Sequence, residues 1–264
     1  MTSPAIHPTA LVADSANIGE GTTIGPYAIV GEQVTVGENC QLDAHAIIRS
    51  HVRMGAHNRV HAHAVLGGLP QDLSFQPETV SWVEIGDHNE FREGVTISRA
   101  TKENQATRIG NHCYFMNNAH VAHDCLVGDN NIFATSATLG GYVEVGNRVF
   151  FGGGAMVHQF CRIGSFAMIA GVIGIRKDVL PYMLIGGTPV RHYRLNSVGL
   201  RRAGISGERY KALSQAFRYL KENKPLADDI IETVETIHLR GWLDANSKRG
   251  IYGFIDARKT KDAD

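Results

Sequence analysis

Two histidines and an aspartate lie close together in the stretch His120-Val121-Ala122-His123-Asp124. A neutral imidazole is a suitable general base near pH 7, and a neighbouring carboxylate can stabilise the imidazolium that forms. The spacing lets both histidines flank an inward-facing Val121 and point outward. The pattern therefore predicts a site for proton abstraction; the alternative is a pair of polar residues at an ordinary turn.

Three consecutive glycines, Gly152–Gly154, form a second candidate. One turn needs fewer glycines than this, and a run of them lets a backbone N–H approach a ligand closely. An oxyanion hole for acyl transfer requires such an N–H. The run predicts an oxyanion-binding turn; the alternative is a set of tight turns without a ligand.

A local group of arginines follows further along a chain that carries no net charge. Guanidinium groups in such a cluster suit phosphates, for example those of a nucleotide diphosphate or of a phosphopantetheine carrier. The alternative is a solvated basic face. The residues are Arg191, Arg194, Arg201 and Arg202.

A strict six-residue repeat determines which elements position these side chains. Every sixth residue between 109 and 175 is apolar, and a glycine often follows it. Neither a helix nor an isolated strand has this period, so the repeat predicts a mainly β fold, a hexapeptide parallel β-helix with roughly 18 residues per coil. The repeat positions are Ile109, Phe115, Val121, Val127, Phe133, Leu139, Val145, Phe151, Val157, Ile163, Ile169 and Ile175.

The repeat starts near Ile6 and is interrupted at residues 67–82 and again at 99–107. Long excursions from a repeat are typical of functional loops. We therefore expect the first loop to fold over a working surface. The predicted domains are a β-helix over residues 1–189 and a helical domain over residues 190–264.

The helical domain is expected to cap the open end of the coils, whose strand edges would otherwise be unpaired. Capping residues and apolar spacing predict its helices. They are a short helix capped by Asn196 and ending near Gly204, a second over Glu208–Asn223 capped by Ser206, a third starting at Pro225, and a short one around Ile251–Ile255.

Composition excludes several classes of function. Lys+Arg and Asp+Glu are equal at 26 each, so no global field attracts nucleic acid or an anionic membrane. The N-terminus resembles no secretory signal, and no apolar run is long enough to enter a membrane stably. Cysteines at small inward repeat positions are expected to be core residues in a reducing cytoplasm; the alternative is a disulfide or zinc role. They are Cys40, Cys113, Cys125 and Cys161.

Other histidines recur every six residues near the N-terminus, and this places them on successive sides of the coil. Of these, only His45 and His63 are expected to stack one coil apart; a surface or subunit-contact role is favoured over metal binding. A three-sided coil has flat faces, and flat faces that pair around a cyclic axis predict a homotrimer. The set is His45, His51, His57 and His63.

Several longer motifs resemble the acyl-[acyl-carrier-protein]–UDP-N-acetylglucosamine O-acyltransferase family of bacterial lipid A synthesis, over essentially the whole chain. The histidine motifs together with the helical tail are more specific than the repeat alone. The matching stretches are Ile6–Ala10, Pro70–Leu73, Asn118–Cys125, Val157–Cys161 and Asn196–Arg202.

The resemblance implies a left-handed parallel β-helix and a cytoplasmic homotrimer with active sites between subunits. His123 would deprotonate the sugar 3-hydroxyl, Asp124 would assist it, and the Gly153 N–H would stabilise the thioester oxyanion. No metal, no cofactor and no covalent enzyme intermediate are implied, since the acyl donor is carried on the phosphopantetheine of acyl carrier protein. The implied residues around the UDP-sugar are Asp72, His120, Tyr142, His158, Gln159, Asn196 and Arg202, and those around the acyl chain are Met168 and Gly171.

The chain departs from the family pattern at positions expected around the sugar and nucleotide. Ser74 replaces a lysine, Ser98 and Tyr142 replace histidines, Val198 replaces an acidic residue and Ala203 replaces an arginine. These departures leave open a paralogue that acylates another UDP-sugar, such as a 3-amino sugar that would yield an amide. The further alternatives are a CoA-dependent sugar N-acyltransferase, a zinc enzyme of the γ-carbonic anhydrase type, and a structural scaffold.

Overall fold

The computed structural model describes residues 3–227 and 229–255. Short strands follow one another at six-residue intervals through most of this range. They are β1 (Ala5–Ile6), β2 (Leu11–Val12), β3 (Asn17–Ile18), β4 (Thr23–Ile24), β5 (Ile29–Val30), β6 (Thr35–Val36), β7 (Gln41–Leu42), β8 (Ile47–Ile48), β9 (Val52–Met54), β10 (Arg59–Val60), β11 (Val65–Gly68), β12 (Trp82–Ile85), β13 (Glu90–Phe91), β14 (Thr96–Ser98), β15 (Ala106–Ile109), β16 (Tyr114–Phe115), β17 (His120–Val121), β18 (Leu126–Val127), β19 (Ile132–Phe133), β20 (Thr138–Leu139), β21 (Glu144–Val145), β22 (Phe150–Phe151), β23 (Met156–Val157), β24 (Arg162–Ile163), β25 (Met168–Ile169), β26 (Gly174–Ile175), β27 (Met183–Gly186) and β28 (Arg191–Leu195).

Every third strand pairs in parallel with the next, so the coil has three flat faces. Face 1 contains β1, β4 and every third strand up to β25, and it ends in β27 and β28. Face 2 runs from β2 to β26, and face 3 runs from β3 to β24. We call the edges between them corner 1–2, corner 2–3 and corner 3–1, in the order in which the chain meets them.

The apolar repeat forms the core, as the sequence predicts. In most two-residue strands the second residue is buried and the first faces outward. Phenylalanines from successive coils of face 1 stack with ring centroids 5.1, 4.6 and 4.5 Å apart. The four cysteines are free and buried. Large apolar residues therefore fill a narrow prism, and the stacked rings are Phe91, Phe115, Phe133 and Phe151.

The chain turns at each corner through a residue with a left-handed backbone. Asp124 has φ 59° and Tyr142 has φ 60°, both at corner 2–3. This conformation is sparsely populated by residues other than glycine, and here it is repeated in coil after coil. Side chains on the corners consequently line up in columns, one coil above the next.

Both interruptions of the repeat leave the prism at corner 2–3. The first spans residues 69–81, between β11 on face 2 and β12 on face 3. The second spans residues 99–105, between β14 and β15. Both are shorter than the intervals seen in the sequence, because residues 67, 68, 82, 106 and 107 belong to paired strands.

The end of the coil is closed by an antiparallel pair and three helices. Strand β28 pairs with β27, so residues 191–195 extend face 1, although the sequence assigned them to the helical domain. The helices are α1 (Ser197–Arg202), α2 (Gly207–Lys221) and α3 (Val234–Asp244). Asn196 caps α1 as expected, with its side chain accepting the Gly199 N–H.

Two helix predictions are wrong. The third helix begins at Val234 rather than at Pro225, because Thr233 and Thr236 form a capping box that starts it there. No helix forms at residues 251–255; Ile251 and Phe254 instead make bridges to Asp178 and His192. The end of the predicted domain, residues 256–264, lies outside the described residues.

The helices pack on the last coil through their own apolar cluster, which includes Leu180, Met183, Leu200, Leu213 and Leu239. An ion pair of 2.8 Å between Arg162 and the fully buried Asp178 supports this contact, and Arg162 also stacks on Trp242 of α3. None of the described helices combines the length and apolarity needed to cross a bilayer.

Candidate functional site

Corner 2–3 collects most of the polar side chains that the sequence singled out. His123 and Asp124 lie where β17 turns into β18, Tyr142 lies one coil further on, and His158 and Gln159 lie one coil beyond that. The two loops leave the same corner just before them. The repeat therefore aligns residues that are far apart in sequence along one edge of the prism.

His123 and Asp124 form a closely held pair. Nδ1 of His123 lies 2.8 Å from Oδ2 of Asp124, and the two side chains are 10% and 9% exposed. The Asp124 N–H donates to the Thr107 hydroxyl at 2.8 Å, which fixes the backbone of the corner. An ionised carboxylate only accepts hydrogen bonds, so Nδ1 of His123 carries a proton, and in the neutral imidazole the lone pair is then on Nε2.

Thr101, on the second loop, completes the surroundings of Asp124. Its N–H donates to the carboxylate at 3.1 Å and its hydroxyl donates at 2.8 Å. Burial acts to raise the pKa of Asp124, but the hydrogen bonds from His123 and Thr101 outweigh it, and the pKa lies below its usual value. Asp124 therefore stays ionised and keeps the imidazole in one tautomer.

Gly141 supports the opposite side of the imidazole. A Cβ atom built on Gly141 would lie 2.7 Å from Nε2 of His123, so a side chain at this position would displace the ring. The Gly141 N–H donates to no acceptor among the residues that the structure describes. Sequence reasoning missed this glycine, although Gly140-Gly141 carries the same signal as the triple glycine: more glycine than one turn needs.

Gly153 lies elsewhere. It belongs to corner 1–2, between β22 on face 1 and β23 on face 2, whereas His123 lies at the far edge of face 2. Within one chain the structure does not bring the Gly153 N–H and the imidazole together. Gly171 lies at the same corner as Gly153, one coil further on, and Met168 points outward from face 1.

His120 lies on face 2, on the strand that leads to the corner. Its Nδ1 is 2.7 Å from the Thr96 hydroxyl. Burial lowers the pKa of His120 below its ordinary value, so this imidazole is neutral near pH 7. A neutral His120 places no additional positive charge beside His123.

The first loop brings Asp72 to the same region. Two hydrogen bonds from Ser74, from its N–H at 2.8 Å and from its hydroxyl at 2.7 Å, hold the pKa of Asp72 below its usual value, and His123 adds a smaller effect in the same direction. Asp72 is therefore an ionised acceptor, near enough to His123 for the two to interact electrostatically. Sequence reasoning named Asp72, but not the residue that anchors its loop.

That anchor is Arg99, which is 5% exposed. Its guanidinium donates to the Pro77 carbonyl at 3.1 Å, contacts Nδ1 of His51 at 2.9 Å, and lies 5.6 Å from the centre of the Phe75 ring. Burial lowers the pKa of Arg99. One buried side chain thus ties the first loop to the corner from which the second loop leaves.

Two predicted substrate residues lie on the other side of the chain. Asn196 is 9% exposed, and its amide caps α1 and donates to the Phe166 carbonyl at 2.9 Å, near corner 3–1. Arg202 is exposed at the end of α1. Neither joins His123 within one chain. Among the described residues, no three His, Cys, Asp or Glu side chains form a group that could hold a metal ion.

Family models and relatives agree with this architecture. Residues 178–252 match the model described as "Udp N-acetylglucosamine O-acyltransferase; Domain 2", and residues 15–48, 33–68 and 106–141 match that of the bacterial transferase hexapeptide (six repeats). The acyl-[acyl-carrier-protein]–UDP-N-acetylglucosamine O-acyltransferase of Alkalilimnicola ehrlichii is 48% identical over 255 residues, covering 93% of this chain and 98% of that protein.

Two further comparisons extend this result. The namesake from Anaeromyxobacter sp. strain Fw109-5 is 43% identical over 170 residues, and the match spans 64% of this chain and 66% of that relative. The solved UDP-N-acetylglucosamine O-acyltransferase of Moraxella catarrhalis superposes with a TM-score of 0.85 at 38% identity, covering 94% of this chain and 99% of the other. The predicted fold class, a left-handed parallel β-helix followed by helices, is confirmed.

Proposed function

The chain belongs to the acyl-[acyl-carrier-protein]–UDP-N-acetylglucosamine O-acyltransferase family, and we propose from this premise that it transfers a 3-hydroxyacyl chain from acyl carrier protein to the 3-hydroxyl of UDP-N-acetylglucosamine. This reaction is the first step of lipid A biosynthesis. The observation that carries the proposal is the His123–Asp124 pair, in which the carboxylate holds Nδ1 of the imidazole and Nε2 lies against Gly141.

The chemistry needs one base and no covalent enzyme intermediate. Nε2 of His123 takes the proton of the sugar hydroxyl while the oxygen attacks the thioester carbonyl, and Asp124 stabilises the imidazolium that forms. When the tetrahedral intermediate collapses, the C–S bond breaks and the imidazolium returns its proton to the leaving thiolate. The products are the O-acyl sugar nucleotide and the carrier protein with a free thiol.

We assign the oxyanion donor to Gly141 rather than to Gly153. An oxyanion donor must lie near the base, because both act on atoms of the same reacting centre. Gly141 contacts the imidazole and its N–H is uncommitted among the described residues, whereas Gly153 lies at another corner. This assignment replaces the one drawn from the sequence.

The outward residues of the faces support a homotrimer. Face 3 presents mainly polar and charged residues, among them Arg53, Glu84 and Arg108 in an ion-paired row. Face 2 presents apolar residues, of which Leu11 is 65% and Met156 59% exposed. The later strands of face 1 also present apolar side chains, including those of β19, β22 and β25.

Three copies that pack face 2 of one subunit on face 1 of the next bury these apolar residues and leave face 3 in water. Corner 1–2 then lies towards the axis, and corner 2–3 of one subunit meets corner 3–1 of its neighbour. In this arrangement Asn196 and Arg202 of a neighbouring copy approach His123. Met168 of that copy faces the interface, where the acyl chain would run.

The proposal requires no metal and no cofactor, because the imidazole handles the proton and a backbone N–H handles the oxyanion charge. Its partners are acyl carrier protein, which presents the acyl chain on phosphopantetheine, and the UDP-sugar. We place the protein in the cytoplasm, where both are made, and its free buried cysteines suit that reducing compartment.

Mass spectrometry of products tests the proposal directly. Purified protein is incubated with 3-hydroxyacyl carrier proteins of several chain lengths, or with acetyl-CoA, and with UDP-N-acetylglucosamine or its 3-amino analogue. We expect an O-acyl product from carrier protein and UDP-N-acetylglucosamine, and a far smaller amount from the His123→Ala variant in the same time. Preferred use of acetyl-CoA or of the amino sugar would replace the proposed substrates, and activity unchanged in His123→Ala would refute the mechanism.

A further inference from the structure

Tyr142 is connected to the catalytic pair through Thr101. The Tyr142 hydroxyl lies 2.9 Å from Oγ1 of Thr101, and the same Oγ1 lies 2.8 Å from Oδ2 of Asp124. Oδ2 of Asp124 also accepts the Nδ1 proton of His123. Four side chains therefore form one unbranched hydrogen-bonded chain that runs from the imidazole to the phenol.

The chemistry of the carboxylate fixes the direction of every bond in this chain. Asp124 is ionised and can only accept, so the Thr101 hydroxyl must donate its single proton to Oδ2. Oγ1 of Thr101 can then only accept from Tyr142. The phenol proton is thus committed to Thr101, and the phenol oxygen has only acceptor lone pairs left for a ligand.

Packing holds the phenol in this orientation. The Tyr142 ring stacks on Phe160 with centroids 4.9 Å apart and meets the His123 ring edge-on at 5.3 Å. Its backbone N–H donates to the His123 carbonyl at 3.0 Å. The side chain is only partly buried, and it lines a cavity at this corner together with Asp124 and Phe160.

We propose that Tyr142 determines sugar specificity by accepting a hydrogen bond from a hydroxyl group of the nucleotide sugar, and that Thr101 is the positioning residue that orients both Tyr142 and Asp124. This inference rests on the proposed function and adds to it the polarity of one substrate contact. A substrate group that can only accept hydrogen bonds would place its own lone pairs against those of the Tyr142 oxygen. Such a substrate is therefore rejected.

The first loop has the same polarity. The Ser74 hydroxyl donates its proton to Oδ1 of Asp72, so Ser74 also offers lone pairs outward, beside the carboxylate of Asp72. Tyr142, Ser74 and Asp72 thus all present acceptors. A ligand rich in hydroxyl donors, such as a sugar, matches this set.

The experiment combines Tyr142→Phe with substrate analogues. UDP-N-acetylglucosamine and its 4-deoxy and 6-deoxy analogues are compared in kcat/KM for wild type and for Tyr142→Phe, which keeps the stacked ring and removes only the oxygen. We expect the variant to lose about tenfold on UDP-N-acetylglucosamine, the size of one hydrogen bond in a desolvated site. With wild type, kcat/KM for one of the two deoxy analogues should be lower than for UDP-N-acetylglucosamine by the same factor. With Tyr142→Phe, kcat/KM for that analogue should be no lower than for UDP-N-acetylglucosamine.

The proposal is overturned if each deoxy analogue lowers kcat/KM by the same factor in the variant as in wild type. It is also overturned if Tyr142→Phe is as active as wild type on the full sugar. Failure of the proposed function is a separate result, because wild type would then form no product from any of the three sugars.

Thr101 is tested with Thr101→Val and Thr101→Ser. Valine removes the hydroxyl that bridges Tyr142 and Asp124, which concentrates the carboxylate charge on His123, so the acid limb of the kcat/KM profile should move to higher pH. Serine keeps the hydroxyl and should restore both rate and profile. Equal profiles for Val and wild type, or no rescue by Ser, would show that Thr101 has only a structural role.

Discussion

Corners 1–2 and 2–3 are built from the same residue types, yet only one has the geometry of a catalytic site. At corner 1–2, His45 and His63 stack at 5.3 Å on the exposed edge, and Gly152–Gly154 form a turn two coils above Asn118. At corner 2–3, His123 is 8% exposed and is held between Asp124 and Gly141. Both corners carry histidines and glycines, but His123 is buried beside an ionised partner, whereas His45 and His63 are exposed in the single chain.

This difference follows from the two interruptions of the repeat. Both leave from corner 2–3, and they bring Thr101 against Asp124 and Asp72 towards His123. Corner 1–2 has no comparable excursion among the described residues. A regular coil supplies outward side chains at every corner, and the loops turn one of these corners into a cleft.

The largest effect should come from removing the imidazole. His123→Ala is expected to lower kcat/KM by about 10³-fold, within the range for loss of a general base. The matched control, His45→Ala, removes the same side chain from corner 1–2 and should stay within about twofold. Because corner 1–2 lies towards the proposed axis, the two variants are compared only in fractions that elute with the wild-type oligomer in size-exclusion chromatography. Equal losses in the two variants would remove the distinction between the corners.

His192 is also buried, but among the described residues it contacts no carboxylate. His192 is fully buried, accepts the Leu180 N–H at 3.0 Å and contacts the Tyr252 carbonyl at 3.0 Å, and burial lowers its pKa to about 4. A folded pKa below the unfolded value of about 6.5 means that the stabilisation is complete above pH 6.5 and is lost as pH falls towards 4.

The loss should reach roughly 3 kcal/mol of unfolding free energy, from about 1.4 kcal/mol per pKa unit. Urea unfolding at fixed protein concentration between pH 7 and pH 4 measures it. His192→Gln should be less stable at pH 7 but show a shallower decline on acidification. Parallel curves for the two proteins would contradict the assignment to His192.

The two glycine runs provide the next comparison. Gly141→Ala should lower kcat about 100-fold, because the added Cβ displaces the imidazole from its productive position. Gly153→Ala should remain within about threefold, since a Cβ there meets only the Thr135 carbonyl at 3.4 Å. The opposite ranking in steady-state kinetics would show that the turn at Gly153, and not the one at Gly141, adjoins the reacting centre.

The smallest effect concerns the loop anchor. Arg99→Lys removes the fork that reaches both the Pro77 carbonyl and His51, so the first loop should order less readily. We expect KM for the sugar nucleotide to rise about fivefold with kcat nearly unchanged, an effect of about 1 kcal/mol. Arg108→Lys, on face 3, is the control. A similar rise in KM for that variant would show that the effect does not come from the first loop.

Much of the fold could be predicted, because apolar residues recur every six positions in the sequence. The apolar repeat from Ile109 to Ile175 predicts the coil, and the interruptions of the repeat predict the two loops. One helix start and one short helix were predicted wrongly, because local capping by Thr233 and backbone pairing of Ile251 override propensity. For the site, the residue pattern identified His123 and Asp124, and the family resemblance added Asp72 and Tyr142. Neither pointed to Thr101 or Gly141.

The sequence by itself determined the prism, since a six-residue period of large and small inward residues fits a narrow three-sided core. It also identified the imidazole that could act as base and the carboxylate that could stabilise the imidazolium. Only the tertiary structure decided which corner holds the site and which glycine faces the imidazole. Contacts such as Thr101 to Asp124 join residues 23 positions apart, and their alignment depends on where each loop rejoins the coil, which no local pattern encodes.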